Sequence, residues 1–252
     1  VPRACAEALA VVAARAAAGV GAAPTLAYVE VFGDDVTDLL AEGDERRFQN
    51  AAAAQRWVLD GHAEHAVASV ADAAALLARG EARKRRTATK RNARSSRAHA
   101  LVVLTLAQGA APRRRSQLFL ADLGGSEQLK RSEADAGAKV AAGIKDGEAT
   151  AKWAEYYEQR RTLREAQNIN LGLFALKRCV DALRAKKAFV PYQDSKLTLL
   201  LQAGLGGAAK TAVIVAASRA RRDAVETVGA LRFGLRCKRL ESGLDSELDA
   251  RA

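Results

Sequence analysis

Two segments, Asn92-Ala-Arg-Ser-Ser-Arg-Ala-His99 and Asp122-Leu-Gly-Gly-Ser-Glu127, flank the apolar runs Ala100 to Leu106 and Leu118 to Ala121. Continuous apolar runs of this length predict fully buried central strands. The second run ends directly in Asp122, which sets that carboxylate at the C-terminal edge of a strand, where open α/β sheets bind ligands. One strand pair therefore carries two loops to one point. The first loop brings hydroxyls; the second brings a carboxylate and a backbone N–H beside glycine. A phosphate and Mg²⁺ sensor needs this set: hydroxyls to reach the metal, an N–H to touch the phosphate, and a carboxylate to hold the metal's water shell.

Working outward, helices alternate with strands. Pro2 and Gly19 bracket a helix over 3–18. Thr25 to Phe32 is rich enough in β-branched and aromatic residues to be a strand, with a turn at Gly33-Asp-Asp. The stretch 41–67 is weakly patterned and suggests short strands on a protruding lobe. Val70 to Arg79 predicts a short helix ended by Gly80, followed by the basic run Arg83 to Arg86 leading into the first motif. After the polar segment 128–161, Ala166, Ile169, Leu173, Leu176, Val180 and Leu183 step by three and four along one helix face, with Lys177, Arg178 and Arg184 opposite and Lys186 and Lys187 beyond. Asp194 is expected to cap a helix from Ser195 to Ala203, Thr211 to Ser218 to form another buried strand, and Asp223 to Leu240 a final amphipathic helix. The pattern predicts a layered α/β fold, a mostly parallel or mixed central sheet flanked by helices.

With 252 residues, 49% of them hydrophobic, the chain suits one large domain better than two. Its formal charge of +11 favours a polyanionic partner. Aromatic residues make up 5% of the chain, too few for the stacking platforms of single-stranded nucleic-acid binders, so no nucleic-acid partner is expected. Cys5, Cys179 and Cys237 are far apart and lack metal-ligand spacing, which predicts reduced thiols and no zinc site. No apolar run approaches the ~20 residues of a membrane span, so no membrane insertion is expected.

Further segments, in order, make the chain resemble the kinesin motor domain across nearly its whole length. Tyr28-Val-Glu-Val-Phe with Asp38-Leu-Leu40 is similar to the family's Y-x-E-I-Y…D-L-L strand and turn. Glu165-Ala-Gln-Asn-Ile-Asn170 resembles the start of the long helix after the second switch. Val190-Pro-Tyr-Gln-Asp-Ser-Lys-Leu-Thr198, Leu205-Gly-Gly207 and Thr227…Leu231-Arg-Phe233 are similar to the tubulin-facing loop and helix, the turn after them and the last helix. A lone Asp-x-x-Gly or Ser-Ser-Arg is common, and it is their joint order that carries the resemblance. No G-x-x-x-x-G-K-[ST] loop and no methionine occur in the chain. It is therefore expected to be the C-terminal two-thirds of a motor domain over 1–240, with the first strands and phosphate loop outside it and a polar tail or neck start over 241–252.

The resemblance implies ATP and Mg²⁺ as cofactors and assigns roles residue by residue. Ser96 is the hydroxyl on the metal side, Ser95 helps to place the attacking water, and Asp122 holds a Mg²⁺-bound water. Gly125 offers its N–H to the γ-phosphate, and Asn92 lies on the nucleotide side. Arg97 and Glu127 form the salt bridge that closes the two switches. Lys177, Arg178, Arg184, Lys186, Lys187, Tyr192, Asp194 and Lys196 are the expected microtubule-binding set. Departures from the family pattern are Ala98 for serine, Gly124 for alanine, Leu171-Gly172 in the helix signature, and Gln193 and Leu199 where arginines are common. The expected function is a microtubule motor ATPase of the cytoplasmic cytoskeleton, dimerising through segments outside the chain; the alternative is a non-catalytic microtubule-binding module.

Overall fold

The computed structural model describes residues 1–17, 19, 21–33, 35–42, 46–48, 53, 55, 58, 62–90, 98–108, 114–124, 171–206, 209–238 and 240. They fall into two compact units, Val1–Gly124 with Ser195–Gly204, and Gly125–Asp194 with Leu205–Ala252.

The first unit is a helix-covered sheet. Helix α1 (Pro2–Ala17) begins on proline, whose missing N–H would have had no helical partner, and ends before Gly19 at φ +80. Strands β1 (Ala22–Phe32), β2 (Asp35–Asp38), β3 (Arg46–Phe48), β5 (His99–Gln108) and β6 (Arg114–Asp122) lie in the order β3-β2-β1-β5-β6, and β4 (His65–Ala66) also pairs with β1. Leu26 and Tyr28 on β1 and Ala100, Val102 and Leu104 on β5 point to one face by the two-residue period of strands. They pack there with Cys5 and Leu9 of α1 and with Ala73 and Leu77 of helix α2 (Val70–Lys90).

The layered α/β class is the one the sequence predicts. All described strand pairs are antiparallel, so the parallel part of the expected mostly parallel or mixed sheet is not among them. The connections explain this. Gly33, at φ +59, turns β1 back into β2, and only 109–113 separate β5 from β6, too few residues for a parallel crossover. Strand β6 departs from expectation by standing outermost in the described order, and its side chains are half-buried or exposed, whereas β5 is buried from His99 to Thr105.

Helix α2 also departs from expectation. Its start is a capping box: the Asp72 N–H donates to Ser69 Oγ at 3.1 Å, and the Ser69 N–H donates to Asp72 Oδ2 at 2.9 Å. The helix then runs through Gly80, which closes nothing. A Cβ at Gly80 would sit 2.3 Å from Cδ1 of Tyr28, so the glycine serves close packing against that ring. Continuation brings the basic run Arg83 to Arg86 into the helix. Arg79 donates to the Leu40 carbonyl at 2.8 Å, and Arg83 donates to those of Leu39 and Ala41 at 3.3 and 2.7 Å. Three successive carbonyls after β2 are thereby satisfied.

Helix α4 (Lys196–Leu205) is capped by Ser195, whose Oγ accepts the Thr198 N–H at 3.1 Å, and not by Asp194 as expected. Leu199, where the family pattern has arginine, is buried.

The second unit contains helix α3 (171–184) and helix α5 (Ala224–Cys237), joined by the ion pair of Asp181 with Arg236, whose Nη1 donates to both carboxylate oxygens at 3.1 and 2.8 Å. The buried residues of α3 include Ala175, Leu176, Cys179 and Val180, as the helical period requires. The expected strand over 211–218 is not formed: these residues pair with no described strand, and Ile214 is 96% exposed. An apolar run becomes a strand only where a neighbour takes its backbone groups, and the described residues of this unit contain no strand. The run is held at its end instead, where the Ser218 N–H donates to Thr227 Oγ1 at 3.2 Å and Ser218 Oγ donates to Asp223 Oδ2 at 2.7 Å. No described helix is long and apolar enough to cross a membrane.

Candidate functional site

The register between β5 and β6 builds the site. Ala100 stands opposite Asp122, so the start of one strand meets the end of the other at the same sheet edge. The chain before Ala98 and the chain after Gly124 therefore leave from adjacent points. Asn92, Ser95, Ser96, Arg97, Gly125 and Glu127 lie outside the described residues. Of the expected nucleotide-side set, Asp122 is described, and its carboxylate is exposed at the C-terminal end of β6 as the sequence predicts.

The two segments are joined by a residue that the motif reading left without a role. The Gly124 N–H donates to His99 Nδ1 at 3.0 Å. His99 is 3% exposed, and its Nε2 has no hydrogen-bond partner among the described residues. Burial drives the imidazole down to about 4 from its ordinary 6.5, against the opposing pull of the Asp122 charge. The ring is thus neutral, and because Nδ1 accepts, the proton resides on Nε2. The available signal in the sequence was position: a histidine at the first residue of a buried strand, where its ring must enter the core.

A second constellation lies in the other unit. Lys177, Arg178, Arg184, Lys186 and Lys187 are all exposed along and just beyond α3. Arg178 pairs with Asp194 at 2.5 Å, and Tyr192 is half-buried close by in a single 3₁₀ turn (Tyr192–Asp194). Asp194 thus tempers one of the charges that the sequence reading placed on the same surface. Burial raises the Cys179 thiol to about 11, and Asp194 adds to the rise, so this buried cysteine stays protonated. Arg178, Asp181, Ala182, Lys187, Phe189 and Pro191 line a cleft of about 420 Å³. Lys196, at the start of α4 in the first unit, is 8% exposed. No cluster of three or more metal-ligating side chains occurs among the described residues.

Helix α3 ends in a Schellman turn. The Lys186 N–H donates to the Leu183 carbonyl at 2.9 Å, the Lys187 N–H donates to that of Ala182 at 3.0 Å, and Lys186 takes φ 48. A side chain in this left-handed conformation is strained where glycine is not. Lys186→Gly is accordingly expected to raise stability by about 0.5–1 kcal/mol while removing one charge from the basic surface. A urea midpoint at or below that of the unaltered protein would contradict this reading of the turn.

The family model described as the kinesin motor domain matches residues 1–146 and 147–240. The kinesin heavy chain of Gibberella moniliformis is 32% identical over 223 residues, covering 86% of this chain and 21% of that protein. Kinesin-like protein 3 of Schizosaccharomyces pombe is 32% identical over 221 residues, covering 86% of this chain and 36% of its own length. Among solved structures, a fast kinesin superposes with a TM-score of 0.69 at 28% identity, covering 96% of this chain and 62% of the other. The Drosophila kinesin family member NOD superposes with a TM-score of 0.65 at 24% identity, covering 95% and 64%. The chain spans about a fifth to a third of the length of these curated relatives. With a family model covering nearly all of it, the chain belongs to the kinesin motor-domain family.

Proposed function

We propose that the protein carrying this chain is a microtubule motor that hydrolyses Mg·ATP and couples the reaction to microtubule binding. The observation that carries the reading is the pairing of Ala100 with Asp122, which sets the end of the first motif and the start of the second at one sheet edge. Support also comes from the fast kinesin matched at 28% identity, a structure described for its ATPase mechanism and its interactions with microtubules.

The donor set fits Mg²⁺ with a nucleotide: hydroxyls in the first segment, a solvent-facing carboxylate at the strand end, and a glycine-rich backbone after it. Mg·ATP would supply the transferable phosphoryl group and the charge that the switches detect. Ser96 would face the metal and Ser95 the attacking water, with Asn92 on the nucleotide side. Asp122 would hold the metal's water, and Gly125 would present an N–H that no side chain obstructs. The Arg97 guanidinium and the Glu127 carboxylate would latch the segments only when both are in place. Lys177, Arg178, Arg184, Lys186 and Lys187, with Tyr192 and Asp194 beside them, would face the acidic surface of tubulin. The cytoplasmic microtubule array is the corresponding location.

ATP turnover by the full-length protein, with and without microtubules, tests the proposal. Stimulation by microtubules that weakens as salt is raised supports it. The Glu127→Ala variant should keep nucleotide binding and turn over far more slowly. The second reading, a microtubule binder without catalysis, is favoured by the basic face of α3, where Lys177, Arg178 and Arg184 are exposed. Salt-sensitive co-sedimentation with microtubules in the absence of turnover would select it.

A further inference from the structure

We infer that His99 is a positioning residue that clamps the second switch segment to the first by holding the Gly124 N–H. Strand pairing alone does not make this connection. His99 belongs to the β1–β5 ladder opposite Val31, but the β5–β6 ladder has already ended at Ala100 and Asp122. The Gly124 amide, two residues past that end, is taken up by a side chain instead of a backbone carbonyl, at 3.0 Å. The first switch segment thereby has its last residue bonded to the peptide that opens the second.

The chemistry of the ring favours this role over mere packing. A leucine or phenylalanine would fill a buried position at a strand start without burying any polar atom. The imidazole leaves Nε2 buried with no partner among the described residues, an unfavourable arrangement that an apolar side chain would avoid. What the imidazole adds in return is an acceptor for Gly124. Without it the Gly124 N–H would need another partner, and the Leu123–Gly124 peptide could rotate. Gly124 has no Cβ to restrain its backbone, and the clamp supplies the restraint.

The consequence for catalysis rests on the proposed ATPase reading; the clamp itself does not. A free Leu123–Gly124 peptide would leave the phosphate-facing backbone after it unaligned. Loss of the clamp should therefore lower kcat and leave nucleotide affinity nearly unchanged.

The test is amide hydrogen exchange at Gly124 in the full chain, comparing the natural residue with His99→Phe and His99→Asn. Phenylalanine keeps a ring and removes the acceptor; asparagine places an amide oxygen near the position of Nδ1. Exchange at Gly124 is expected to quicken about tenfold or more in His99→Phe and to return toward the original rate in His99→Asn. Equal exchange in the natural protein and His99→Phe, or no recovery with asparagine, overturns the clamp. If His99→Phe does not fold, the ¹⁵N shifts of the imidazole in the unaltered protein decide: an Nε2–H tautomer supports the bond, and an Nδ1–H tautomer excludes it. Absence of ATP turnover in the unaltered protein would refute the ATPase proposal without affecting either measurement.

Discussion

Gly80→Ala is expected to lower stability by about 1–3 kcal/mol, although the same change in the interior of an open helix adds up to about 1 kcal/mol. The sign is set by Tyr28. A Cβ at position 80 would lie 2.3 Å from its Cδ1 and 2.6 Å from its Cε1, separations that real atoms do not adopt. The ring has little freedom to move aside. It is 3% exposed, its hydroxyl donates to Glu81 on the next residue of the same helix, and Lys84 lies 5.9 Å from its centroid. Burial and the Glu81 carboxylate both raise the phenol above its ordinary range, so it remains a neutral donor. Either α2 must move off the sheet, or Tyr28 must leave its rotamer and lose its bond to Glu81. Urea denaturation followed by far-UV circular dichroism checks the sign. A double-mutant cycle with Tyr28→Leu checks the cause, because removing the ring should relieve much of the loss due to the alanine. A rise in the midpoint for Gly80→Ala alone would show that the contact yields without cost.

That glycine also shows what the sequence discloses and what it withholds. Read along the chain, Gly80 is punctuation, because glycine favours helix ends. Its role depends on Tyr28, 52 residues earlier, and no local pattern contains that distance. Features governed by neighbours in sequence were legible. Pro2 and Gly19 do bracket α1, the β-branched and apolar runs do become β1 and β5, and Leu176 and Val180 of the stepped series are buried on α3, while Ala166 and Ile169 lie outside the described residues. Features governed by partners were not. Residues 211–218 have the composition of a strand but no ladder to join, and β6 carries an apolar run yet stands at the edge of the described sheet. Ser195 rather than Asp194 caps α4, while Asp194 pairs with Arg178, a long-range partner that sequence spacing does not display. In the candidate site Asp122 stands at the end of β6 where its place after an apolar run puts it, and the other nucleotide-side motif residues lie outside the described residues. The role of His99 was not legible, since it lies in one bond to a residue 25 positions away.

Acidification provides the other large effect expected from this structure, and its direction follows from His99. The native imidazole titrates near 4, whereas an unfolded histidine titrates near 6.5. Above 6.5 neither state holds the proton, and the site contributes nothing to the pH dependence. Between 6.5 and about 4 the unfolded chain gains a proton that the native state refuses, so stability falls with falling pH. Below about 4 both states are protonated and the loss levels off. At about 1.4 kcal/mol per pH unit, the full effect is about 3 kcal/mol. The mechanism is specific: an imidazolium has two donors and no acceptor, so it must release the Gly124 N–H while bearing a charge inside the sheet. Asp122, the charged neighbour that acts on it, moderates the loss but does not cancel it. Other carboxylates and the remaining histidines also titrate on the way down, so the quantity to measure is the difference between the unaltered protein and His99→Asn. Urea midpoints taken at pH 7, 5.5 and 4.5 should separate the two progressively, the unaltered protein losing more stability than the variant. Parallel curves would mean that the imidazole is already solvated in the native state, and that its buried bond to Gly124 does not govern the acid response.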